Sequence, residues 1–187
     1  MGKMTEPPCL NVIYDNRHSE DYGRLLGEFI QQEITKFVFW TAIVLPDSVV
    51  KSINLSHKTI VQFAKDNGYK ECCIAEQDLA FSCPTSWEYF LKNKPEKYSL
   101  YLWGSYIVPV SNNKVCGLQL YFIDSSFYDA FLSAPDNVHI DTYMDELKGD
   151  YHYCYPFPAL QRAGFSANNK AVVDYNKILE PKDIYKG

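Results

Sequence analysis

Alternating strand-like and helix-like segments predict an α/β domain with a largely parallel central sheet. Short runs rich in β-branched and aromatic residues recur along the chain, stretches with apolar residues at helical spacing stand between them, and no internal repeat interrupts the alternation. With 187 residues the chain suits one domain with a sizeable core. That domain is expected over residues 10–187, after a flexible lead-in of residues 1–9.

Pro7-Pro8 closes the lead-in, and Leu10 to Tyr14 reads as the first strand. Asp15 to His18 is the loop at its C-terminal end. Ser19 is placed to N-cap a helix, with Glu20 and Asp21 in the first turn to suit the helix dipole. Leu25, Leu26, Phe29, Ile30 and Ile34 give it one apolar face. Phe37 to Val44 is a second strand, broken by Pro46-Asp47. Ser48 to Leu55 reads as either loop or short helix. Ser56 is the expected cap of the next helix, which has Ile60, Val61 and Ala64 inside and Asn67-Gly68 as its stop.

A strand around Ile74 follows at once and ends at Glu76 and Asp78. A helix near Thr85 or Ser86 shows Trp87, Phe90 and Leu91 on one side and stops at Asn93 and Pro95. Tyr98 to Trp103 is a strand. Ser111 to Lys114 is a turn between Ile107-Val108 and the strand Gly117 to Ile123. Phe127, Phe131 and Leu132 mark a helix stopped by Pro135; Tyr143, Met144 and Leu147 mark a shorter one; Tyr151 to Tyr155 is the last strand. From about Ser166 the chain is expected to be an irregular tail over the surface. Right-handed crossovers would bring the loops after the first strand, after Ile74 and after Trp103 to one edge.

Composition excludes several roles. At 47% hydrophobic and 22% charged this is an ordinary globular chain, and its net charge of -5 argues against a nucleic-acid groove or a polybasic membrane patch. No stretch approaches a transmembrane span, and the first residues lack the apolar core of a signal peptide. The six Cys contain no Cys-x-x-Cys pair, so a structural zinc site is not expected, and reduced, mostly buried thiols are.

The stretch with most chemistry in it is Cys72 to Phe81, where an apolar run ends in Glu76-Gln77-Asp78. Carboxylates are costly to bury unless paired or metal-bound, and strand ends are where open α/β sheets place ligands. The plainer reading is a solvated acidic turn. No Gly-rich phosphate loop is present, so phosphates would need a carboxylate-held metal to neutralise them.

Asn54-Leu55-Ser56-His57, a helix, and then Ile74-Ala75-Glu76-Gln77-Asp78 resemble glycosyltransferase family 25, the lipooligosaccharide-type galactosyltransferases and their relatives. Val12-Ile13 with Asp15, Asn16 and Arg17 looks like that family's nucleotide-binding strand. The run Gly117 to Ile123, then Asp141, Pro158, Leu160, Gln161 and Ser166, follow in its order. Gln77 stands where the family has an Asp, and the chain is short for such an enzyme.

The resemblance implies a GT-A-like, Rossmann-like three-layer α/β/α sandwich and a metal-dependent, inverting transfer of a hexose, with galactose the first candidate. The donor would be a nucleotide-sugar, with a UDP-sugar expected, and the acceptor a glycan in polysaccharide biosynthesis. Mn²⁺ or Mg²⁺ would be the cofactor. The setting would be cytoplasmic, extending to the inner membrane face by peripheral association. Asp78 is the expected metal ligand, with Glu76 on the ribose or a metal-bound water. His139 is either a further ligand or a packed side chain. Asp141 is either the general base or the N-cap of the following helix. Asn16, Arg17 and His57 would face the donor, with exposed-surface roles open for Arg17; Gln161 and Arg162 would be contacts on the closing segment. The alternative is a non-catalytic GT-A-like relative that binds a glycan, nucleotide or partner protein.

Overall fold

The structure is a computed structural model and describes residues 8–106 and 115–187. Most of the lead-in, Ile107-Val108 and the turn at Ser111 to Lys114 lie outside the described residues. The first half of the chain contains β1 (Leu10–Tyr14), α1 (Glu20–Gln31), β2 (Phe37–Thr41), α2 (Val49–Asp66), β3 (Glu71–Glu76), β4 (Leu79–Phe81) and α3 (Ser86–Lys92). The second half contains β5 (Leu100–Leu102), β6 (Leu120–Asp124), α4 (Tyr128–Leu132), α5 (Ile140–Leu147) and β7 (Tyr151–Tyr153). β8 (Ala159–Gln161), β9 (Gly164–Ser166) and β10 (Ala171–Val173) complete it.

The central sheet has six strands in the order β2-β1-β3-β6-β5-β7. β2, β1 and β3 are mutually parallel, as are β5 and β7; only β6 runs against its neighbours. The expected mostly parallel α/β architecture is therefore present, with β6 as its antiparallel member, and the C-terminal ends of β1, β3 and β5 share one edge. The start of β6 arrives at that same edge, with Glu76 N–H donating to Gln119 O at 3.0 Å.

Two-residue alternation divides the core between the two faces. Cys73 and Ala75 pack with Leu25, Phe29, Trp87 and Phe90 of α1 and α3. Cys72 and Ile74 pack with Ile60, Val61, Phe131 and Met144 of α2, α4 and α5. Each large side chain buried in this way, such as Phe29 or Ile74, contributes about 1.5–3 kcal/mol. The result is a helix–sheet–helix sandwich.

Several boundaries differ from expectation. α2 begins at Ser48, whose hydroxyl accepts from Lys51 N–H at 3.2 Å. Ser56 is therefore not a cap. It lies inside the helix, donating to Ser52 O and accepting from Ile43 N–H at 2.9 Å. Ser52 likewise takes Leu45 N–H. The first turns of α2 thus face a polar loop, so the apolar period there is weak. Ser19 occupies the N-cap position of α1 without a side-chain cap bond, and Ile30 is 78% exposed because it lies off the helix face that Leu25 and Phe29 bury.

The segment after Ser166 is more ordered than expected. β9 and β10 form a hairpin. Beyond it Asp183 is buried, its carbonyl takes Phe157 N–H at 2.7 Å, and Tyr185 stacks on Tyr89 with ring centroids 3.9 Å apart.

Candidate active site at the carboxyl edge of the sheet

In β3, Cys72, Ile74 and Glu76 share one face, which directs Glu76 toward α2. His57, one turn before Ile60 on the inner side of α2, is 1% exposed. Its Nε2 lies 3.0 Å from Glu76 Oε1 and its Nδ1 2.9 Å from the Tyr121 hydroxyl of β6. Burial pushes the Tyr121 phenol far up, so it stays protonated. A carboxylate at Glu76 can only accept, which assigns the ring hydrogen to Nε2 and leaves Nδ1 to accept from the Tyr121 hydroxyl. The chain Tyr121–His57–Glu76 runs from the core outward to the sheet edge. His57, expected to face the donor, reaches the site through Glu76.

Beyond Glu76 the chain turns sharply into β4, and this turn is held on every side. The Gln77 carboxamide oxygen accepts Asp15 N–H at 2.6 Å, joining the ends of β3 and β1. Arg24 of α1 donates to the carbonyls of Gln77 and Leu79. From the closing segment, Arg162 N–H donates to Asp78 O and Gln161 Nε2 to Asp78 Oδ2, both at 2.7 Å. Gln161 is fixed in turn by the Tyr106 hydroxyl, which accepts its N–H at 2.7 Å.

Asp78 is left half-satisfied: Oδ1 is buried and has no hydrogen-bond partner. Burial and the neighbouring Glu76 carboxylate push its carboxyl up to about 7, against the opposing pull of Gln161 and Arg24. A buried acceptor without a donor is costly for a fold built without purpose for it.

Asp141 stands in the first turn of α5. Its carboxyl is also pushed up, by burial first and by Glu76, while the backbone N–H groups of Thr142 and Gly117 oppose the shift. Thr142 N–H lies 2.8 Å from Oδ1. Gly117 permits this approach with a φ of +100°, and a Cβ there would meet Gln119 Oε1 at 2.4 Å. The positive charge of a protonated His139 is within electrostatic reach of Asp141. Glu76, Asp78 and Asp141 thus form one acidic neighbourhood, although 62 residues of chain separate Asp15 from Gln77 at its margin. Asn16 and Arg17 are exposed in the loop beside it; Arg17 folds back on Asp15 at 2.9 Å and holds that carboxyl below its usual range. Arg24, Tyr106 and Tyr121 were not singled out from sequence. The only signal for Arg24 is a cation set against the apolar stripe of α1.

The residues fit a divalent cation in a particular way. The buried Asp78 Oδ1, without a hydrogen-bond partner among the described residues, is a hard oxygen donor. Among the described residues no three His, Cys, Asp or Glu side chains are grouped to hold a metal by themselves. Such a site would take most of its shell from phosphate oxygens and water, as Mg²⁺-type sites do.

No protein-family model matches the chain, and no curated protein matches it in sequence. Solved structures do match in fold. A glycosyltransferase involved in glycosylation of the major capsid of PBCV-1 aligns over 78% of this chain and 81% of its own, with 10% identity and a TM-score of 0.52. A Drosophila beta-1,4-galactosyltransferase 7, crystallised with manganese, UDP-Gal and xylobiose, aligns over 80% of this chain with 12% identity and a TM-score of 0.51. This chain spans 65% of that galactosyltransferase chain. The likeness is one of fold, GT-A-like, and does not single out family 25.

Proposed function

We propose that this chain is a metal-dependent glycosyltransferase that moves a hexose, galactose in the first instance, from a UDP-sugar to a glycan acceptor. The observation that carries the reading is the buried, unpartnered Asp78 Oδ1 beside Glu76, at the edge where β1 and β3 end. The glycosyltransferase fold supports it.

Asp78 would hold Mn²⁺ or Mg²⁺ together with the donor diphosphate. When bound, the ion neutralises charge on the leaving diphosphate. Glu76, oriented by His57, would accept from the donor ribose or from a coordinated water. Asp141, its carboxyl raised by burial and by Glu76, suits a general base that takes the proton of the acceptor hydroxyl, as an inverting transfer requires. His139 lies next to this base and is a second-choice ligand. Asn16 and Arg17 border the nucleotide side; Gln161 and Arg162 close over the turn.

Calorimetry with UDP, with and without Mn²⁺, tests the reading, followed by assay of UDP release from UDP-galactose. Metal-dependent binding and release are expected. Absence of both rejects it. A second reading, a non-catalytic binder of glycan, nucleotide or partner protein, is favoured by Gln77, whose side chain is committed to Asp15 where the resembling family has a third carboxylate. Metal-dependent UDP binding with no UDP release would select it.

A further inference from the structure

We infer that Asn54 is a positioning residue that sets the place of Asp141 relative to Glu76. The inference rests on the glycosyltransferase reading of Asp141 and goes beyond it.

Asn54 is 0% exposed and sits one helical turn before His57, so both side chains leave the same face of α2. Its amide bonds all go to one short segment. Nδ2 donates to Pro135 O at 3.2 Å, to Asp136 O at 3.0 Å and to Val138 O. Oδ1 accepts Ile140 N–H at 3.2 Å. Those groups belong to the loop that ends in His139, and Ile140 is the first residue of α5. Asn54 thus gathers three loop carbonyls, of which Pro135 O also accepts Val138 N–H at 3.4 Å, and one N–H at the helix start, immediately before Asp141. Lys58, one turn further along α2, reinforces the same loop by donating to Ala134 O and pairing with Asp136 at 2.7 Å.

A single turn of α2 therefore holds two parts of the site. His57 grips Glu76 on the metal side, and Asn54 grips the loop that delivers Asp141 on the acceptor side. Asp cannot donate to these carbonyls and would place a carboxylate against them, and Ala removes the donor from all three. Because Asn54 touches neither the Asp78 turn nor the loop after β1, its loss should move the base without disturbing the nucleotide.

The test is Asn54→Asp in the full chain, with Lys58→Met as a milder variant that loosens the same loop. Each is measured for Kd of UDP with Mn²⁺ and for UDP release from UDP-galactose, normalised to folded protein. The expectation for Asn54→Asp is a fall in kcat of at least about tenfold, with the Kd for UDP and Mn²⁺ and the KM for UDP-galactose little changed. Lys58→Met should show the same split to a smaller degree, about threefold. Should Asn54→Asp not fold, the Lys58→Met split decides the question alone. An unchanged kcat in a folded variant, or a parallel loss of nucleotide affinity, overturns the inference while leaving the glycosyltransferase reading standing. If the wild-type chain releases no UDP, that reading fails, and the inference with it.

Discussion

His57 Nε2 stands 3.0 Å from Glu76 Oε1, with Tyr121 closing the other side of the imidazole at 2.9 Å. One helix, the third strand and the antiparallel sixth strand meet in these two contacts. The pair makes Glu76 a fixed acceptor.

Replacing His57 by Phe should leave Glu76 and the Tyr121 hydroxyl without their partner. Stability should fall by about 2–3 kcal/mol. Tyr121→Phe should cost less, about 1 kcal/mol. Urea denaturation of both variants and the double variant measures the coupling; additive losses would show that the three groups do not act as a chain.

Asp78 should oppose folding at neutral pH. Its folded carboxyl lies at about 7, above the unfolded value of 3.8. Below the unfolded value both states hold the proton, and the contribution is fully present. As pH rises toward 7 the unfolded chain releases the proton first, and stability drains away to a plateau above the folded value. Asp78→Asn should therefore be more stable than wild type near pH 8, by at most about 4 kcal/mol, and the gap should close near pH 4. Thermal melts across that range check it. A variant less stable than wild type at pH 8 would contradict it.

Gly117→Ala should be severe for its size. The residue has a φ of +100°, and the new Cβ would press on Gln119 Oε1 at 2.4 Å. A loss of about 2 kcal/mol is expected from backbone strain and the clash together. Because Gly117 N–H also bonds Asp141, UDP release should suffer more than UDP binding.

Much of the frame was legible in the chain. The unbroken apolar run Cys72 to Ala75 and the spacing of Ile60, Val61 and Ala64 are direct records of burial, and a strand covered on both faces with a helix packed on one of them follows from them. The reversed direction of β6 was not legible, since strand direction leaves no trace in a local pattern. Nor was the start of α2, where Ser48, Ser52 and Ser56 turn toward backbone instead of core. At the site, Glu76 and Asp78 stood out because acids end an apolar run. The bond from Glu76 to His57 did not, because 19 residues and a change of element separate them. Arg24 and Tyr106 looked like ordinary surface and core residues. Their roles exist only once Gln77, Leu79 and Gln161 are brought to them.

Removing the Gln161 amide should make Asp78 harder to ionise. Gln161→Leu deletes the side-chain donor to Oδ2, the strongest of the influences that hold the Asp78 carboxyl down. Metal-dependent UDP binding should then need a higher pH. The midpoint of its pH dependence is expected to rise by about one unit, read from titrations at stepped pH; an unmoved midpoint would mean that Gln161 does not govern Asp78.

On the proposed function, Asp78 holds the metal that in turn holds the nucleotide. Isothermal titration of UDP into wild type and Asp78→Asn near pH 8, with and without Mn²⁺, tests it most directly. Mn²⁺ is expected to tighten UDP binding to wild type by at least about tenfold and to do nothing for a folded Asp78→Asn. Equal enhancement in both proteins, or none in wild type, would contradict it.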